Sequence, residues 1–166
     1  FEKVNNAKPN TKVSTPITAA TKGMNKMGIK QISIFTPYTS KINDSVCDYF
    51  EKENFKVNDL SYFDIASDLD IGKVDPNHLF EVLKKIDLSK SDALFISCTA
   101  LPVLSLIDDL EKELDKPVIS SNQALILSVF LPDSTCESVL RIRSRCCCLV
   151  FAGMYSLTWS SNVIRP

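Results

Sequence analysis

One cysteine lies at a position suited to chemistry. Residues 92–97, with the sequence DALFIS, have the apolar character of a buried strand, and Cys98 follows them directly, flanked by Ser97 and Thr99. Backbone N–H groups at the start of the next helix favour a thiolate, which is the nucleophilic or basic form of cysteine. Because cysteine is also among the most frequently buried residues, a structural role for Cys98 remains open from position alone.

Two further polar segments follow strand-like runs. Tyr38 ends the segment Thr36-Pro37-Tyr38 and could offer its hydroxyl to a substrate oxygen, although an aromatic cover for the sheet edge is the simpler interpretation. The segment SSNQ at 120–123 precedes a helix, where unpaired N–H groups suit a carboxylate. An ordinary N-cap, by Ser120 or Ser121, is the alternative, but it would use only one of the four polar side chains.

Strands and helices alternate along the chain, and this order predicts the fold class. Short apolar or β-branched runs predict strands at 31–35, 55–63, 92–97 and 117–120. Helix-length segments separate them, which predicts an α/β fold built from βαβ units around a mostly parallel sheet. Since ligands bind beyond the carboxyl ends of such strands, we expect the three polar segments to share one edge.

Local signals place several of the helices. Thr15 before Pro16 and Asp75 before Pro76 have the pattern of a cap followed by proline in the first helical turn. Cys47 is expected in the core, within a helix between the first two strands. The apolar face of that helix is predicted to comprise Ile42, Val46, Tyr49 and Phe50.

Composition excludes several classes of function. The 166 residues are 45% apolar and 23% charged, with a formal net charge of -1, which is typical of a globular protein that binds neither nucleic acid nor an anionic membrane. The longest apolar run, 146–159, is shorter than the roughly 20 residues that span a bilayer. A single histidine, His78, and the absence of paired cysteine motifs argue against a metal site.

Cysteine usage and the first residues predict a location. The chain begins at Phe1 without a secretion signal, and its six cysteines are either isolated or contiguous rather than spaced as a disulfide framework. We therefore expect a cytoplasmic protein with free thiols. The sequence is also compatible with a homo-oligomer.

The composition changes near residue 128. All fifteen lysines precede residue 129, whereas all four arginines, four of the six cysteines and the single tryptophan follow it. Lys and Arg are both acceptable surface cations, so physical chemistry does not account for the switch. We predict an α/β lobe at 1–128 and an atypical tail at 129–166, frameshifted or disordered, with a basic cysteine-bearing helix as the alternative.

The polar segments resemble one known family. The order TPY, then ISCTAL, then LEKELDKPVISSNQA is similar to the second lobe of maleate isomerases and arylmalonate decarboxylases, within the aspartate/glutamate racemase superfamily. The resemblance runs from about Val13 to Leu127. The later segments are specific in order and spacing, whereas TPY alone is a weak signal.

The resemblance implies a fold and a set of site residues. It implies a three-layer lobe with a parallel sheet, forming half of a pseudo-twofold enzyme, with a first lobe and its cysteine upstream of Phe1. It implies that no metal or organic cofactor takes part. Cys98 matches the second-lobe catalytic cysteine, and the implied substrate-binding residues are Tyr38, Thr99, Asp68, Ser121 and Asn122. Asp68 departs from the asparagine typical of isomerases, and its charge would repel a carboxylate.

The resemblance also implies an activity. We expect cofactor-independent isomerisation of a small dicarboxylate, of the kind that converts maleate to fumarate through cysteine thiols. An amino-acid racemase or an arylmalonate decarboxylase would use the same fold, because Cys98 could protonate one face of a planar enediolate. A third hypothesis is an inactive, truncated fragment, suggested by the altered tail and the missing first lobe.

Overall fold

The computed structural model describes residues 2–11 and 13–130. Within them, four strands alternate with helices in the order predicted from the sequence. The strands are β1 Gln31–Thr36, β2 Lys56–Tyr62, β3 Ala93–Ile96 and β4 Val118–Ser120. The α-helices are α1 Glu2–Ala7, α2 Pro16–Lys26, α3 Ser40–Lys52, α4 Asp68–Ile71, α5 Pro76–Leu83, α6 Ile107–Leu114 and α7 Ser121–Phe130, and a 3-10 turn covers Leu104–Leu106.

The four strands form one parallel sheet in the order β2-β1-β3-β4. The register pairs Phe35 with Ile96 and Ile96 with Ser120, so β1, β3 and β4 end side by side. A register shift in the β1–β2 pairing lies between Ile32 and Ser33. The predicted α/β class with a parallel sheet is therefore confirmed, and the three polar segments follow strands that end at the same edge.

Two apolar clusters cover the two faces of the sheet and define three layers. On one face, Ile34 and Phe95 pack with residues of α2 and α3, including Met24 and Phe50. The other cluster joins strand residues to α4, α5 and α6, and it includes Phe35, Leu94, Ile96, Cys98, Ile71, Leu79, Leu83, Ile107 and Leu110. Successive strand residues alternate between these clusters, as the period of a β-strand requires.

The predicted helix starts are confirmed. Thr15 caps α2, where its side chain accepts from the Thr18 backbone N–H and Pro16 occupies the first turn. Asp75 caps α5 by accepting from the Asn77 N–H at 3.0 Å, with Pro76 following it. Beyond α2, the φ angle of +75° at Gly28 is one that a residue without a Cβ adopts at little cost.

One side of α3 differs from the prediction. Ile42 was expected to face the core, but it is 48% exposed, and Asn43 is buried in its place. Phe50 is fully buried as expected, while Val46, Tyr49 and Cys47 are partly buried against the same cluster. Hydropathy favours isoleucine over asparagine in a core, so the pattern alone cannot find a buried amide whose partners lie elsewhere in the chain.

The predicted tail at 129–166 lies almost wholly outside the described residues, which end with α7 at Phe130. The division at residue 128 therefore stays a prediction. In the part of the chain that the structure describes, none of the helices has both the length and the apolar content needed to cross a membrane.

Candidate active site

Cys98 lies two residues beyond β3, in a tight turn with an unusual backbone conformation. Its φ angle is +128°, a region that side-chain-bearing residues rarely adopt. The turn directs the backbone N–H of Ala100 onto the Cys98 sulfur, with N and Sγ 3.3 Å apart. Strained backbone of this kind costs about 1–3 kcal/mol and is concentrated at functional sites, so the conformation favours a functional role for the thiol.

The start of α7 is tied to the Cys98 turn by two hydrogen bonds. The Cys98 N–H donates to Ser121 Oγ at 3.2 Å, and the Asn122 side-chain amide donates to the Thr99 carbonyl oxygen at 3.0 Å. Four of the predicted site residues therefore form one connected unit. Ser121 is buried and Asn122 half-buried, whereas Thr99 is exposed at the sheet edge.

Ser120 performs the capping role that the sequence left open between two serines. Its Oγ accepts from the Gln123 N–H at 3.2 Å, and Gln123 Oε1 accepts from the Ser120 N–H at 3.4 Å. This reciprocal pair is a capping box with glutamine at the third helical position. Because Ser120 and Gln123 satisfy the helix start, Ser121 and Asn122 are left to hold the cysteine turn.

Tyr38 reaches the same thiol from the end of β1. Its side chain packs against the apolar cluster that contains Cys98, and its hydroxyl interacts with the side chains of Cys98 and Ser97. Burial, followed by the interaction with Cys98 and the negative charge of its thiolate form, raises the pKa of Tyr38 to about 12, and the charge of Asp68 adds to the rise. Tyr38 is therefore a neutral hydroxyl at physiological pH and acts as a hydrogen-bond donor.

Asp68 approaches the site through the short helix α4. Gly72 ends that helix, and a Cβ built on it would lie 3.9 Å from the Ala100 carbonyl oxygen, so α4 packs beside the cysteine turn. The Asp68 side chain is exposed, and its negative charge reaches the Tyr38 hydroxyl. An anionic ligand bound at Tyr38 would feel the same repulsion, although water screens it.

The residues matched by known relatives include this whole edge. A sequence profile of the arylmalonate decarboxylase family matches residues 3–131. The chain belongs to the arylmalonate decarboxylase family.

Proteins similar to this chain include maleate isomerases. The maleate isomerase of Geobacillus stearothermophilus is 29% identical over 108 residues, covering 64% of this chain and 43% of that protein. The maleate isomerase of Alcaligenes faecalis is 31% identical over 99 residues, covering 59% of this chain and 39% of that protein. A variant maleate isomerase from Pseudomonas putida, solved with maleate, matches with a TM-score of 0.70 at 26% identity, over 77% of this chain and 52% of that one.

The chain spans about half, or less, of the length of these relatives. The resemblance inferred from the TPY, ISCTAL and SSNQ segments is thus confirmed at the level of family and fold. The catalytic and substrate-binding roles of the individual residues remain proposals.

Within the family fold, the structure brings together all six residues predicted from the sequence. Cys98 contacts Tyr38 and Ser121, Asn122 joins Thr99, and the charge of Asp68 acts on Tyr38. Cys98 is only 6% exposed and belongs to an apolar cluster, so it is more enclosed than a thiol at an open rim. In residues 2–11 and 13–130, no three His, Cys, Asp or Glu side chains are grouped so as to hold a metal ion.

Sequence patterns missed Asn43. It is 1% exposed and bonds both the loop of Tyr38 and the side chain of Thr36. A signal does exist in the sequence, since a polar residue interrupts the first turn of an amphipathic helix directly after the TPY segment. That signal does not say which way the amide points.

Proposed function

We propose that this chain forms one lobe of a cofactor-independent cis-trans isomerase of a small dicarboxylate such as maleate, with Cys98 as a catalytic thiol. The observation that carries the proposal is the Cys98 turn, in which the Ala100 N–H donates to the sulfur and the Tyr38 side chain packs against the cluster that contains Cys98. The similarity to several maleate isomerases supports this choice of chemistry.

The proposed reaction requires neither an oxidant nor a reductant. A thiolate of a second lobe adds to one olefinic carbon of maleate, and the electron pair of the double bond moves toward the neighbouring carboxylate. The Cys98 thiol gives its proton to the other olefinic carbon, and the resulting single bond rotates. Cys98 then takes the proton back as the carbon–sulfur bond breaks, which releases fumarate and restores both sulfurs.

Tyr38 supplies a donor during this sequence. Its pKa of about 12 keeps the hydroxyl protonated at neutral pH, so it can hold a substrate carboxylate or stabilise the charge that develops beside it. Thr99 offers an exposed hydroxyl on the same turn, and Ser121 and Asn122 fix that turn from the start of α7. We assign Tyr38 and Thr99 to contact with the substrate carboxylates and Ser121 and Asn122 to support of that site, whereas the charge of Asp68 opposes a bound carboxylate.

Decarboxylation is the second candidate function, and the family profile that matches residues 3–131 favours it. A decarboxylase needs only one thiol, because loss of carbon dioxide leaves an enediolate that a single acid protonates. Cys98 would be that acid, and Tyr38 with Thr99 would hold the remaining carboxylate. Racemisation of an amino acid would instead need a thiol on each face of the substrate.

The free thiols Cys47 and Cys98 suit a reducing compartment, and we propose a cytoplasmic location on that ground.

The test uses the 166-residue chain and the complete product of its gene, each incubated with maleate and followed by proton NMR. We expect fumarate from the complete product, and a loss of at least about a hundredfold in rate for Cys98→Ser, the scale of a lost general acid. Cys47→Ser is the matched control and should retain the wild-type rate. An unchanged rate in Cys98→Ser would refute the role of that thiol. Release of carbon dioxide from an arylmalonate, with no fumarate from maleate, would favour the decarboxylase.

A further inference from the structure

Two buried side chains hold the backbone of Tyr38 from both sides. The Tyr38 N–H donates to Thr36 Oγ1 at 3.2 Å, and Asn43 Nδ2 donates to the Tyr38 carbonyl oxygen at 3.2 Å. The Thr36 hydroxyl donates to Asn43 Oδ1, which closes the ring. The N–H and the carbonyl oxygen of Tyr38 are therefore both hydrogen-bonded to side chains that are buried from water.

The burial of this pair needs an explanation. Thr36 is 0% and Asn43 1% exposed, although Asn43 lies in the first turn of α3, where an apolar side chain would pack without a desolvation cost. Burying an amide costs free energy unless every polar atom finds a partner. Both polar atoms of the Asn43 side chain have partners in the Thr36–Tyr38 segment. This amide therefore supplies hydrogen bonds to the loop rather than to α3.

The same loop organises the rest of the site edge. The Ile65 N–H donates to the Pro37 carbonyl oxygen at 2.8 Å, which fixes the segment leading to Asp68. The Ser97 N–H donates to the Phe35 carbonyl oxygen at 2.9 Å, which fixes the start of the Cys98 turn against β1. A displacement of the Tyr38 loop would therefore change the distance between the tyrosine hydroxyl and the thiol.

We infer that Asn43 and Thr36 are positioning residues that hold the Tyr38 side chain in place beside Cys98. The inference rests on the proposed function only in giving that contact a catalytic purpose. Neither residue touches the thiol, so both act through Tyr38. Their effect on Cys98 should vanish when the Tyr38 hydroxyl is absent, whereas a general loss of stability would not depend on that hydroxyl.

The experiment measures the rate at which iodoacetate carboxymethylates Cys98 in the full chain, by mass spectrometry of the peptide that contains it. Tyr38→Phe removes the hydroxyl that interacts with Cys98 and should slow the reaction about tenfold, the scale of one hydrogen bond to a charged group. Asn43→Leu, of similar volume, should slow it to a similar degree. In the Tyr38→Phe background, Asn43→Leu should change the rate by less than about twofold further, because the effects of coupled residues are not additive.

A second pair of variants guards against misfolding of Asn43→Leu. Thr36→Val keeps the shape but removes the hydroxyl and should slow carboxymethylation, while Thr36→Ser keeps the hydroxyl and should restore the rate. Ser33→Ala is the matched control, since Ser33 is 0% exposed in the same strand and bonds Ser91 Oγ at 3.0 Å, away from the site. It should leave the rate unchanged.

Multiplicative effects of Asn43→Leu and Tyr38→Phe would overturn the inference, as would slowing by Ser33→Ala equal to that by Thr36→Val. The carboxymethylation rate can be measured whether or not the chain has catalytic activity. A chain that makes no fumarate but shows the expected coupling retains the positioning role and loses the proposed function. A chain that makes fumarate but lacks the coupling would retain the proposed function and lose the positioning role.

Discussion

The backbone N–H of Cys98 donates to Ser121 Oγ at 3.2 Å, across 23 residues of sequence. Cys98 follows β3 and Ser121 follows β4, and these strands are parallel neighbours that end level with each other. The bond is buried, so it fixes the cysteine turn to the first residue of α7. The site is thus built by joining two strand ends, and its geometry depends on the register of the sheet.

Loss of that bond has a predictable cost. Ser121→Ala leaves the Cys98 N–H buried without an acceptor, and we expect the free energy of unfolding to fall by about 1–3 kcal/mol. Carboxymethylation of Cys98 should also slow, since the turn loses its anchor. Urea unfolding and the iodoacetate rate measure the two effects. Ser120→Ala is the comparison: it should cost about 1 kcal/mol as a lost cap and leave the thiol rate much less affected. Equal effects of both variants on the thiol rate would contradict the assignment.

The φ angle of +128° at Cys98 predicts that glycine is more stable than alanine at this position, which reverses the usual order. Glycine in the middle of a helix or strand ordinarily costs about 0.5–1 kcal/mol relative to alanine. Here alanine would retain the backbone strain of about 1–3 kcal/mol, while glycine would relieve it. We therefore expect Cys98→Gly to be more stable than Cys98→Ala by about 1 kcal/mol in urea unfolding. Greater stability of the alanine variant would show that the turn is unstrained.

Asp68 is predicted to weaken the binding of dicarboxylates. Its charge acts on the Tyr38 hydroxyl, where we propose that a substrate carboxylate binds. Asp68→Asn should lower the maleate concentration that protects Cys98 from iodoacetate by about threefold, a modest effect because the side chain is exposed and screened. Asp70→Asn is the control on the same helix, where Asp70 pairs with Lys73 at 2.9 Å. An equal gain in Asp70→Asn would indicate a general charge effect rather than a local one.

Asp92 is predicted to link stability to acid pH at the opposite edge of the sheet. Its carboxylate accepts from the Lys30 and Gln31 N–H groups at 3.0 and 2.9 Å, and these bonds lower the pKa of Asp92. A lowered pKa means that the stabilisation is present above the unfolded value of about 3.9 and is lost as pH falls through the lower folded value.

The corresponding variant is Asp92→Asn. We expect it to be less stable than wild type by about 1 kcal/mol at neutral pH and to lose less stability on acidification, as followed by urea unfolding at several pH values. If Asp92→Asn loses as much stability on acidification as wild type does, the Asp92 carboxylate is not the source of the pH dependence.

Much of the fold could be predicted because its signals are local. Pro16 after Thr15 and Pro76 after Asp75 mark helix starts, and QISIF and DALFIS are apolar runs of strand length. The parallel sheet then follows from the alternation of strands and helices. Its carboxyl edge follows in turn, and the predicted site residues do lie there.

Other features depend on contacts that sequence spacing does not contain. Asn43 turns inward and Ile42 outward because the amide meets Thr36 and the Tyr38 carbonyl. The choice of Ser120 over Ser121 as the cap is settled by Gln123 and by the demand of the Cys98 N–H for an acceptor. The strained φ angle of Cys98 likewise follows from the turn, since nothing in the cysteine side chain requires it.

The central claim is that Cys98 is the reactive thiol of a carboxylate-binding site, and competition between two cysteines tests it. Cys47 is the more exposed of the two, but burial and the charges of Glu51, Asp44 and Asp48 raise its pKa.

The decisive measurement is the rate of carboxymethylation by iodoacetate at each cysteine, at neutral pH, with and without maleate. Faster labelling of Cys98 than of Cys47, slowed by maleate at Cys98 alone, is the predicted result. Labelling that follows exposure, with Cys47 reacting first and maleate protecting neither thiol, would contradict the account.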